Sequence, residues 1–369
     1  MMESYLDYAG LGRLREPARV AMAAALNDVF PFGSAEIGRV FPARRRARAL
    51  AAGLLDCRED EIAFVPNTST GLQLVADGID WRPGDEVVVF EGDFPANVHP
   101  WRRLDGVRLR WVPLRGNGYR LDDVAAALGP RTRLVAVSHV HFATGFRVDL
   151  DAVVALAHAA GALVCVDAVQ SLGVVPLSLR ATPVDFLAAG AHKWLCGPTG
   201  TGIFFCRGER LDELRLPCGW VGYEGANDLF DGPGLLRYDL RPRPSAARVE
   251  GGMYDVLAMV GLAETLAELA GIGLGAVAAR VRGLTARLRA GLLEAGCELA
   301  TPGEPSADEW SGIVAFRHPA RTGGDLVAAL LADGHHVSHP DGWVRAAPHH
   351  WTGDAEIGRF LTAVTRRVS

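Results

Sequence analysis

Lys193 is the only lysine in the 369-residue chain, although the chain has 38 basic residues in all. Arginine stays protonated and does not form an imine under ordinary conditions, whereas lysine loses its proton readily when it is desolvated. The residues from Lys193 to Gly202 are apolar and rich in glycine and proline, which predicts a buried turn that leads into a strand. Because a buried, unpaired ammonium tends to lose its proton, Lys193 is a candidate nucleophile toward an aldehyde. The alternative is a surface lysine that has survived by chance.

Two further features supply complementary chemistry. Asp167 follows the apolar run 163–166, and ligands of parallel sheets bind at the carboxyl ends of the strands, so this carboxylate can hold a cation. The segment 67–71 (Asn-Thr-Ser-Thr-Gly) opens a helical pattern, where hydroxyl and free backbone N–H groups bind phosphate. Each feature alone is explained more simply by a turn or a helix cap. Together with Lys193 they supply what a pyridoxal phosphate site needs, namely phosphate binding, a partner for the pyridinium nitrogen and a Schiff-base lysine.

An α/β domain must position these residues. Short apolar runs typical of buried strands alternate with amphipathic helical patterns, which predicts a large, mostly parallel seven-stranded sheet with helices on both faces. The last two runs have no helix between them, so one strand there is expected to be antiparallel. The seven runs are 62–65, 87–90, 108–112, 134–137, 163–166, 186–189 and 202–206, and the helical patterns between the first five lie near 71–79, 96–104, 121–128 and 149–160.

The pattern changes after about residue 250. Two long helical patterns are followed by short strands and two more helices, which predicts a small C-terminal α+β domain. These helical patterns lie at 253–270, 276–295, 325–332 and 354–367, and the strands at 313–316, 336–338 and 343–345. The expected division is an N-terminal segment 1–30 that packs with the small domain, a large cofactor-binding domain 31–255 and a small domain 256–369.

Composition narrows the function classes. Hydrophobic residues make up 49% of the chain and charged residues 22%, which excludes a disordered protein. The net charge of −5, without a basic stripe, argues against a nucleic-acid partner. The sequence has no run of 18 apolar residues, so we expect no membrane span. The six cysteines and eleven histidines show no metal-ligand spacing, so we expect no metal site. A reducing, cytoplasmic location fits the cysteine usage.

The run 167–171 (Asp-Ala-Val-Gln-Ser), followed by His192-Lys193, carries a family resemblance. The chain resembles a fold-type I pyridoxal-phosphate enzyme of the class V aminotransferase group, which includes cysteine desulfurases, isopenicillin-epimerase-like enzymes and kynureninases. The resemblance runs from the segment 5–9 (Tyr-Leu-Asp-Tyr-Ala) to the closing helix. It implies the fold of that group and pyridoxal 5′-phosphate as the cofactor.

The resemblance also implies roles for five residues. Lys193 would form the internal aldimine with the cofactor, and Asp167 would pair with the pyridine nitrogen. Gln170 would hydrogen-bond the ring hydroxyl, while Ser69 and Thr70 would bind the phosphate.

Three more residues match the group's patterns. The run 93–95 (Asp-Phe-Pro) resembles the kynureninase-like pattern, which implies that Phe94 stacks on the cofactor ring; a core aromatic is the alternative. His141 lies in the loop that reaches the ring hydroxyl in this family, where either a catalytic or a structural histidine is expected. Many relatives have Asn at the position of Phe142, so that contact is absent or replaced. Arg345, in Trp-Val-Arg-Ala-Ala-Pro-His at 343–349, would grip the substrate α-carboxylate as a bidentate fork.

The chain also departs from the group. Desulfurases present a catalytic Cys on a loop shortly before the carboxylate-binding Arg, but the stretch 334–342 has no Cys. Gly190 stands where many relatives have a phosphate-binding Ser, and Gly252 where relatives often offer Thr or Ser to the partner subunit's phosphate. We expect weaker cofactor binding or substitute donors, with His192 and Tyr254 as candidates.

These features predict an enzyme that acts on a small amino acid. The first hypothesis is a lyase that cleaves at Cβ, as a C–S lyase on an S-substituted cysteine. The alternatives are a class V aminotransferase or epimerase and, in a different class, a catalytically idle pyridoxal-phosphate fold that serves as a binding module. The resemblance implies a homodimer with active sites at the interface. The irregular stretch 220–254, rich in aromatic residues and arginine, is the expected contact region.

Overall fold

A seven-stranded sheet forms the centre of the computed structural model, which describes residues 3–225, 238–301, 305–306 and 308–368. The strands are β1 (Ser4–Tyr5), β2 (Ile62–Val65), β3 (Glu86–Phe90), β4 (Arg108–Val112), β5 (Thr132–Ser138), β6 (Leu163–Asp167), β7 (Phe186–Gly190), β8 (Gly202–Cys206), β9 (Glu298–Leu299), β10 (Val314–Arg317), β11 (His335–His336) and β12 (Val344–Ala346). The helices are α1 (Glu16–Asp28), α2 (Phe41–Leu55), α3 (Thr68–Gly78), α4 (His99–Arg102), α5 (Leu121–Ala127), α6 (Leu150–Ala159), α7 (Val256–Ile272), α8 (Leu274–Glu294), α9 (Gly323–Ala332) and α10 (Asp354–Val368).

The strand order in the large sheet is β2-β8-β7-β6-β5-β3-β4. All its pairs are parallel except those of β8, which runs antiparallel to β2 and β7. Each of the seven apolar runs is therefore a strand, and the antiparallel strand lies in the hairpin around Lys193. The predicted mostly parallel sheet is confirmed.

Helices cover both faces of the sheet, as the continuous apolar strands require. On one face, α2, α6 and α7 pack on side chains such as Val135 and Val164. On the other face, α3 and α4 pack on Phe204 and Ala136. Every residue of β2, β3, β7 and β8 is buried. A strand that is buried on both sides cannot alternate polar and apolar residues, which is why the sequence shows unbroken apolar runs.

One predicted helix differs from the structure. The pattern at 96–104 is a 3₁₀ turn, Pro95–Asn97, followed by the four-residue α4. Pro100 lies inside this segment and has no backbone N–H to donate, so a continuous helix would lose a hydrogen bond there.

The C-terminal region forms a second, smaller layer. Strands β9, β10 and β12 form an antiparallel sheet whose apolar face packs against α8, α9 and α10. The N-terminal segment pairs with this region, because β1 runs parallel to β11. Helix α7, however, contributes Met259 and Leu266 to the same apolar cluster as the large sheet. The boundary expected at 255/256 thus falls at the start of a helix that packs against the large domain.

No single helix among the described residues is long and apolar enough to cross a membrane. The consecutive pair α7 and α8 meets the length and composition criteria only jointly, with a bend of 81° between the two helices. In the same part of the chain, no three His, Cys, Asp or Glu side chains are grouped as metal ligands would be.

Candidate active site

The segments that follow five strands lie at the same edge of the large sheet. Strands β3, β5, β6 and β7 are mutually parallel, and β2 has the same direction because both β2 and β7 are antiparallel to β8. The segments that follow them are 66–70, 91–94, 139–146, 168–170 and 191–193. Carboxyl edges of parallel strands are the usual ligand sites of such sheets. The large-domain site residues expected from the sequence lie in these segments or at the strand ends, except Tyr254, which precedes α7.

Lys193 lies in the turn after β7. The turn is closed by hydrogen bonds from Cys196 N to the Lys193 carbonyl (2.9 Å) and from Gly12 N to the His192 carbonyl (2.7 Å). Burial lowers the pKa of Lys193 from its usual 10.5 to about 8; Asp167 acts against this change, and the positive charge of Arg345 adds to it. Near neutral pH a sizeable fraction of Lys193 is therefore the uncharged amine that attacks an aldehyde.

Asp167 ends β6, between Ser138 of β5 and Ala188 of β7 in the sheet register. Only 3% of the residue is exposed, and its Oδ1 accepts a hydrogen bond from Val169 N at 2.9 Å. Burial raises the pKa of Asp167 to about 7, and the neighbouring Asp93 adds to this effect, whereas Lys193 and the Val169 N–H oppose it. Such a carboxylate gains most from a bound cation, which would restore its ionised form.

Phe94 presents an exposed ring to the site. Phe94 is 43% exposed, and Lys193 Nζ lies 5.7 Å from the centroid of its ring. Its backbone is held by Asp93, whose Oδ1 accepts from Phe94 N (2.7 Å) and from Ser138 Oγ (2.7 Å). The ring of Phe142 meets Phe94 edge-on at a centroid distance of 5.2 Å. Phe94 is thus available to stack on a cofactor and is not a core aromatic.

The proposed phosphate cradle is the first turn of α3. Asn67 caps this helix, because its Oδ1 accepts from Thr70 N (2.9 Å) and from Thr70 Oγ1 (3.2 Å). Thr68 Oγ1 accepts from Gly190 N (2.9 Å), which ties the start of the helix to the end of β7. Ser69 is exposed and faces no protein partner among the bonds described, whereas the Thr70 hydroxyl must turn away from Asn67 to donate to a phosphate.

His192 occupies the space that a side chain at position 190 would take. A Cβ on Gly190 would lie 2.7 Å from His192 Cε1 and 2.8 Å from Nδ1. Burial, followed by the charge of Lys193, lowers the pKa of His192, so its ring is neutral near pH 7 and retains one N–H donor. Tyr254, the other candidate donor, instead lies against the guanidinium of Arg44, 4.1 Å from its ring centroid.

Gln170 is buried in the segment after β6. Its Nε2 donates to the carbonyl of Ala9 (3.0 Å), and its Oε1 accepts from Trp194 Nε1 (2.9 Å). These two bonds fix the orientation of the amide. The second N–H of Nε2 is the one that a ring hydroxyl of the cofactor would use.

His141 has protein partners on both ring nitrogens. Its Nε2 lies 2.9 Å from the carbonyl of Gly92 and its Nδ1 accepts from Thr144 N at 3.2 Å, which defines a neutral ring protonated on Nε2. Burial lowers the pKa of His141, while the Gly92 bond and Asp93 act in the other direction. This geometry favours the structural alternative, in which His141 holds its loop, while the catalytic role stays a prediction.

Arg345 is buried in β12. Its Nη1 donates to the carbonyl of Phe142 (2.7 Å) and its Nε to Ser338 Oγ (3.0 Å), while Nη2 lies 3.3 Å from Asp7 Oδ1. Arg345 therefore belongs to the small domain and reaches the loop after β5. Its positive charge lowers the pKa of Lys193, the lysine expected to carry the cofactor.

Sequence reasoning did not assign a role to Asp7, Ser338 or Asp93. Asp7 lies in the N-terminal motif, and Ser338 lies in the stretch 334–342, which has no Cys. Nothing in the sequence indicates that these two residues contact Arg345. Asp93 directly precedes Phe94, and a carboxylate before a pocket aromatic was the one available clue. Each role depends on contacts between distant segments.

The residues present fit pyridoxal phosphate. The buried Asp167 needs a cation, Lys193 is an amine with a lowered pKa, and the first turn of α3 lies beside the end of β7. Asp167 would hold the ring nitrogen, Lys193 would bond the aldehyde carbon, and Ser69 with His192 would hold the phosphate. The cofactor supplies an electron sink for bonds at the substrate Cα.

Curated relatives match along most of the chain. A probable cysteine desulfurase of Methanothermobacter thermautotrophicus is 31% identical, over 96% of this chain and 92% of its own length. A cysteine desulfurase of Klebsiella pneumoniae is 30% identical over 91% and 84%, respectively. An uncharacterized aminotransferase of Bacillus subtilis is 28% identical over 87% and 83%.

Solved structures agree with the observed fold. A cysteine desulfurase of Thermococcus onnurineus superposes with a TM-score of 0.86 at 26% identity, covering 99% of this chain and 94% of its own. A cystine C–S lyase, solved with its product cysteine persulfide, has a TM-score of 0.85 at 24% identity, covering 99% and 97%; at that identity the likeness shows the fold alone. The model of the class-V aminotransferase family matches residues 38–351, which contain the lysine turn, the buried carboxylate and the phosphate cradle. The chain therefore belongs to the class-V aminotransferase family of pyridoxal-phosphate enzymes.

Proposed function

We propose that the protein is a C–S lyase that cleaves the Cβ–S bond of an S-substituted cysteine. The substrate would be divided into a thiol, pyruvate and ammonia, with one water consumed. The sulfur would leave on the substrate's own substituent, and no protein thiol would receive it.

The state of the cysteines carries this proposal. A desulfurase-type transfer requires a thiolate on the protein, because the thiolate and not the thiol is the nucleophile. All six cysteines lie in the described part of the chain, and burial raises the pKa of every one. Cys196, three residues after Lys193, is 2% exposed with a pKa of about 12. Four of the six are buried, and the stretch 334–342 before Arg345 offers no cysteine to accept sulfur.

The other site residues support a reaction on a free amino acid. Arg345 would bind the α-carboxylate and place Cα over the cofactor ring. Lys193 would hold the cofactor, and its lowered pKa would suit it to take the proton from the substrate Cα. Asp167 would keep the ring nitrogen protonated, which maintains the electron-withdrawing state of the cofactor.

The test is a substrate panel with the holoenzyme. S-methylcysteine, cystine, cysteine and alanine are incubated with the enzyme, and the products are identified by mass spectrometry. We expect equal amounts of thiol and pyruvate from S-methylcysteine, and no product with Lys193→Ala. Conversion of cysteine to alanine, with sulfur bound to a protein cysteine, would refute the proposal.

The same panel tests the second candidate, an aminotransferase or epimerase. The family model and the Bacillus subtilis relative carry the aminotransferase name, which is the specific reason to retain it. A keto acid that retains its sulfur, together with the aminated form of the cofactor, would favour transamination. Loss of chirality at Cα without other products would favour epimerisation.

We further propose that the enzyme is a cytoplasmic homodimer whose partner completes the site. Supporting this, Trp220 and Met253 are 48% and 75% exposed, and they line a cavity of about 740 Å³ together with Arg45 and Arg243. Exposed tryptophan and arginine are typical of the centres of protein interfaces. Residues 226–237 of the expected contact stretch lie outside the described residues. Sedimentation at assay concentration tests this assembly, and a fully active monomer of 39.4 kDa would contradict it. Cell fractionation tests the location.

A further inference from the structure

Asp7 closes a ring of hydrogen bonds on the guanidinium of Arg345. Ser338 Oγ donates to Asp7 Oδ1 at 2.7 Å and accepts from Arg345 Nε at 3.0 Å, while Arg345 Nη2 lies 3.3 Å from the same Asp7 oxygen. The three side chains come from the N-terminal segment, the loop after β11 and β12. A closed ring of this kind fixes both the plane and the tilt of the guanidinium.

The hydrogen-bond inventory shows what remains for a ligand. A guanidinium has five N–H groups. Ser338 takes the one on Nε, Asp7 takes one on Nη2 and the carbonyl of Phe142 takes one on Nη1. One N–H on each terminal nitrogen is left, which is the number that a bidentate carboxylate needs.

The charge of Asp7 is as relevant as its geometry. Arg345 is 5% exposed, and a buried guanidinium is costly without an opposite charge. Burial lowers the pKa of Arg345, and Asp7 counteracts this through both its charge and its hydrogen bond. Removal of that carboxylate leaves a buried cation that must seek other acceptors, and the fork then loses its fixed direction.

The backbone around Asp7 is fixed on both sides. Leu6 N donates to the His336 carbonyl (2.9 Å), and Tyr8 N donates to the Ala347 carbonyl (3.2 Å). Asp7 itself bridges to Ala347 in the parallel sense. The N-terminal segment therefore presents the Asp7 carboxylate to Arg345 from backbone that is hydrogen-bonded on both sides.

We propose that Asp7 is a positioning residue for carboxylate recognition: together with Ser338 it orients Arg345 so that the two remaining N–H groups bind the substrate α-carboxylate. The inference rests on the proposed function only in that the substrate is an amino acid. It holds for a lyase, an aminotransferase or an epimerase alike.

The test is carboxylate binding to the holoenzyme of Asp7→Asn, measured by calorimetry with propionate. Propionate has neither an amino group nor sulfur, so its affinity reports the fork and not the reaction. We expect the propionate Kd and the amino-acid KM to rise by about tenfold or more, with kcat changed by less than about threefold, because the lost interaction acts in binding. Glu3→Gln is the matched control, since Glu3 lies in the same segment and pairs with Arg359 (3.1 Å) outside the site.

A double-mutant cycle separates positioning from general damage. If Asp7 acts through Arg345, Asp7→Asn should have little further effect on propionate binding in the Arg345→Lys background. Equal additional losses in both backgrounds, or unchanged or tighter propionate binding in Asp7→Asn, would overturn the proposal. Absence of measurable propionate binding to the wild-type enzyme would also overturn it.

Ser338→Ala keeps the inference testable if Asp7→Asn does not fold. It removes the acceptor for Arg345 Nε and the hydroxyl that donates to Asp7 Oδ1, but it leaves the direct Asp7–Arg345 contact in place. We expect the propionate Kd to rise by a smaller factor in the same direction; no change would count against the ring. A wild-type enzyme that binds propionate but yields no thiol from any S-substituted cysteine would refute the lyase and leave the role of Asp7 standing.

Discussion

The pKa of Lys193 is open to a direct test, because Lys193 is the only lysine of the chain. Burial, aided by Arg345, lowers this pKa from 10.5 to about 8 in the cofactor-free enzyme. At pH 7.5 an amine with a pKa of 8 is about one quarter neutral, whereas one with a pKa of 10.5 is about 0.1% neutral. Lys193 should therefore have a neutral fraction roughly 200-fold larger than that of an ordinary lysine, and it should react faster with an amine reagent at equal accessibility.

The assay is the pH dependence of Lys193 acylation, followed by mass spectrometry of the peptide that contains it. We expect the rate to rise about tenfold per pH unit below the midpoint and to level off above about pH 8. The urea-unfolded protein is the control, and its midpoint should lie near 10.4. Reduced access alone would slow the reaction at every pH without moving the midpoint.

Two variants should move this midpoint in opposite directions. Asp167 raises the pKa of Lys193, so Asp167→Asn should lower the midpoint below 8. Arg345 lowers that pKa, so Arg345→Gln should raise the midpoint above 8. A folded-state midpoint above 10, or shifts of the same sign in both variants, would refute the electrostatic description of the site.

Three other substitutions have defined outcomes. In Asp167→Asn, turnover should fall strongly. The unfolding free energy of the cofactor-free enzyme, measured in urea at pH 8, should nevertheless rise by up to about 4 kcal/mol. The reason is that the pKa of Asp167 in the folded protein lies near 7, above its usual 3.8, so its contribution to stability is present below pH 3.8 and is lost as pH rises through 7. Arg345→Lys should raise KM by about ten- to a hundredfold while the cofactor absorbance is retained, and unchanged kinetics would place the carboxylate elsewhere. His141→Ala should cost about 2–3 kcal/mol in unfolding free energy through its bonds to Gly92 and Thr144, and leave the shape of the pH–rate profile unchanged; a lost limb in that profile would restore a proton-transfer role.

The strands were predictable because their burial is visible in the residue types of each short segment. A strand between two helical layers must be apolar at every position, so β3 and β8 stand out as short unbroken runs. The broken helix at 96–104 was not anticipated, because the apolar spacing continued through Pro100 and only the missing N–H interrupts it. Domain boundaries are harder to predict, as helix α7 illustrates. Its sequence pattern indicates a helix, but the domain against which the helix packs depends on the rest of the fold.

The sequence by itself determined the chemical inventory of the site. Only one side chain could serve as the amine, Asp167 follows directly on an apolar run, and the hydroxyl-rich segment precedes a helical pattern. Such signals are local, since each depends on a residue type and its immediate neighbours. The sequence also shows directly that the stretch before Arg345 has no Cys.

Only the tertiary structure decided how these groups work together. The protonation preferences of Lys193 and Asp167 follow from burial and from each other's charge, which no linear pattern records. The bond from Arg345 to Asp7 spans 338 residues, and Gly92 and Thr144 occupy the two ring nitrogens of His141. Desolvation and long-range hydrogen bonds exist only after distant segments have packed, and that is why the partners and protonation preferences of these residues follow from the fold and not from the sequence.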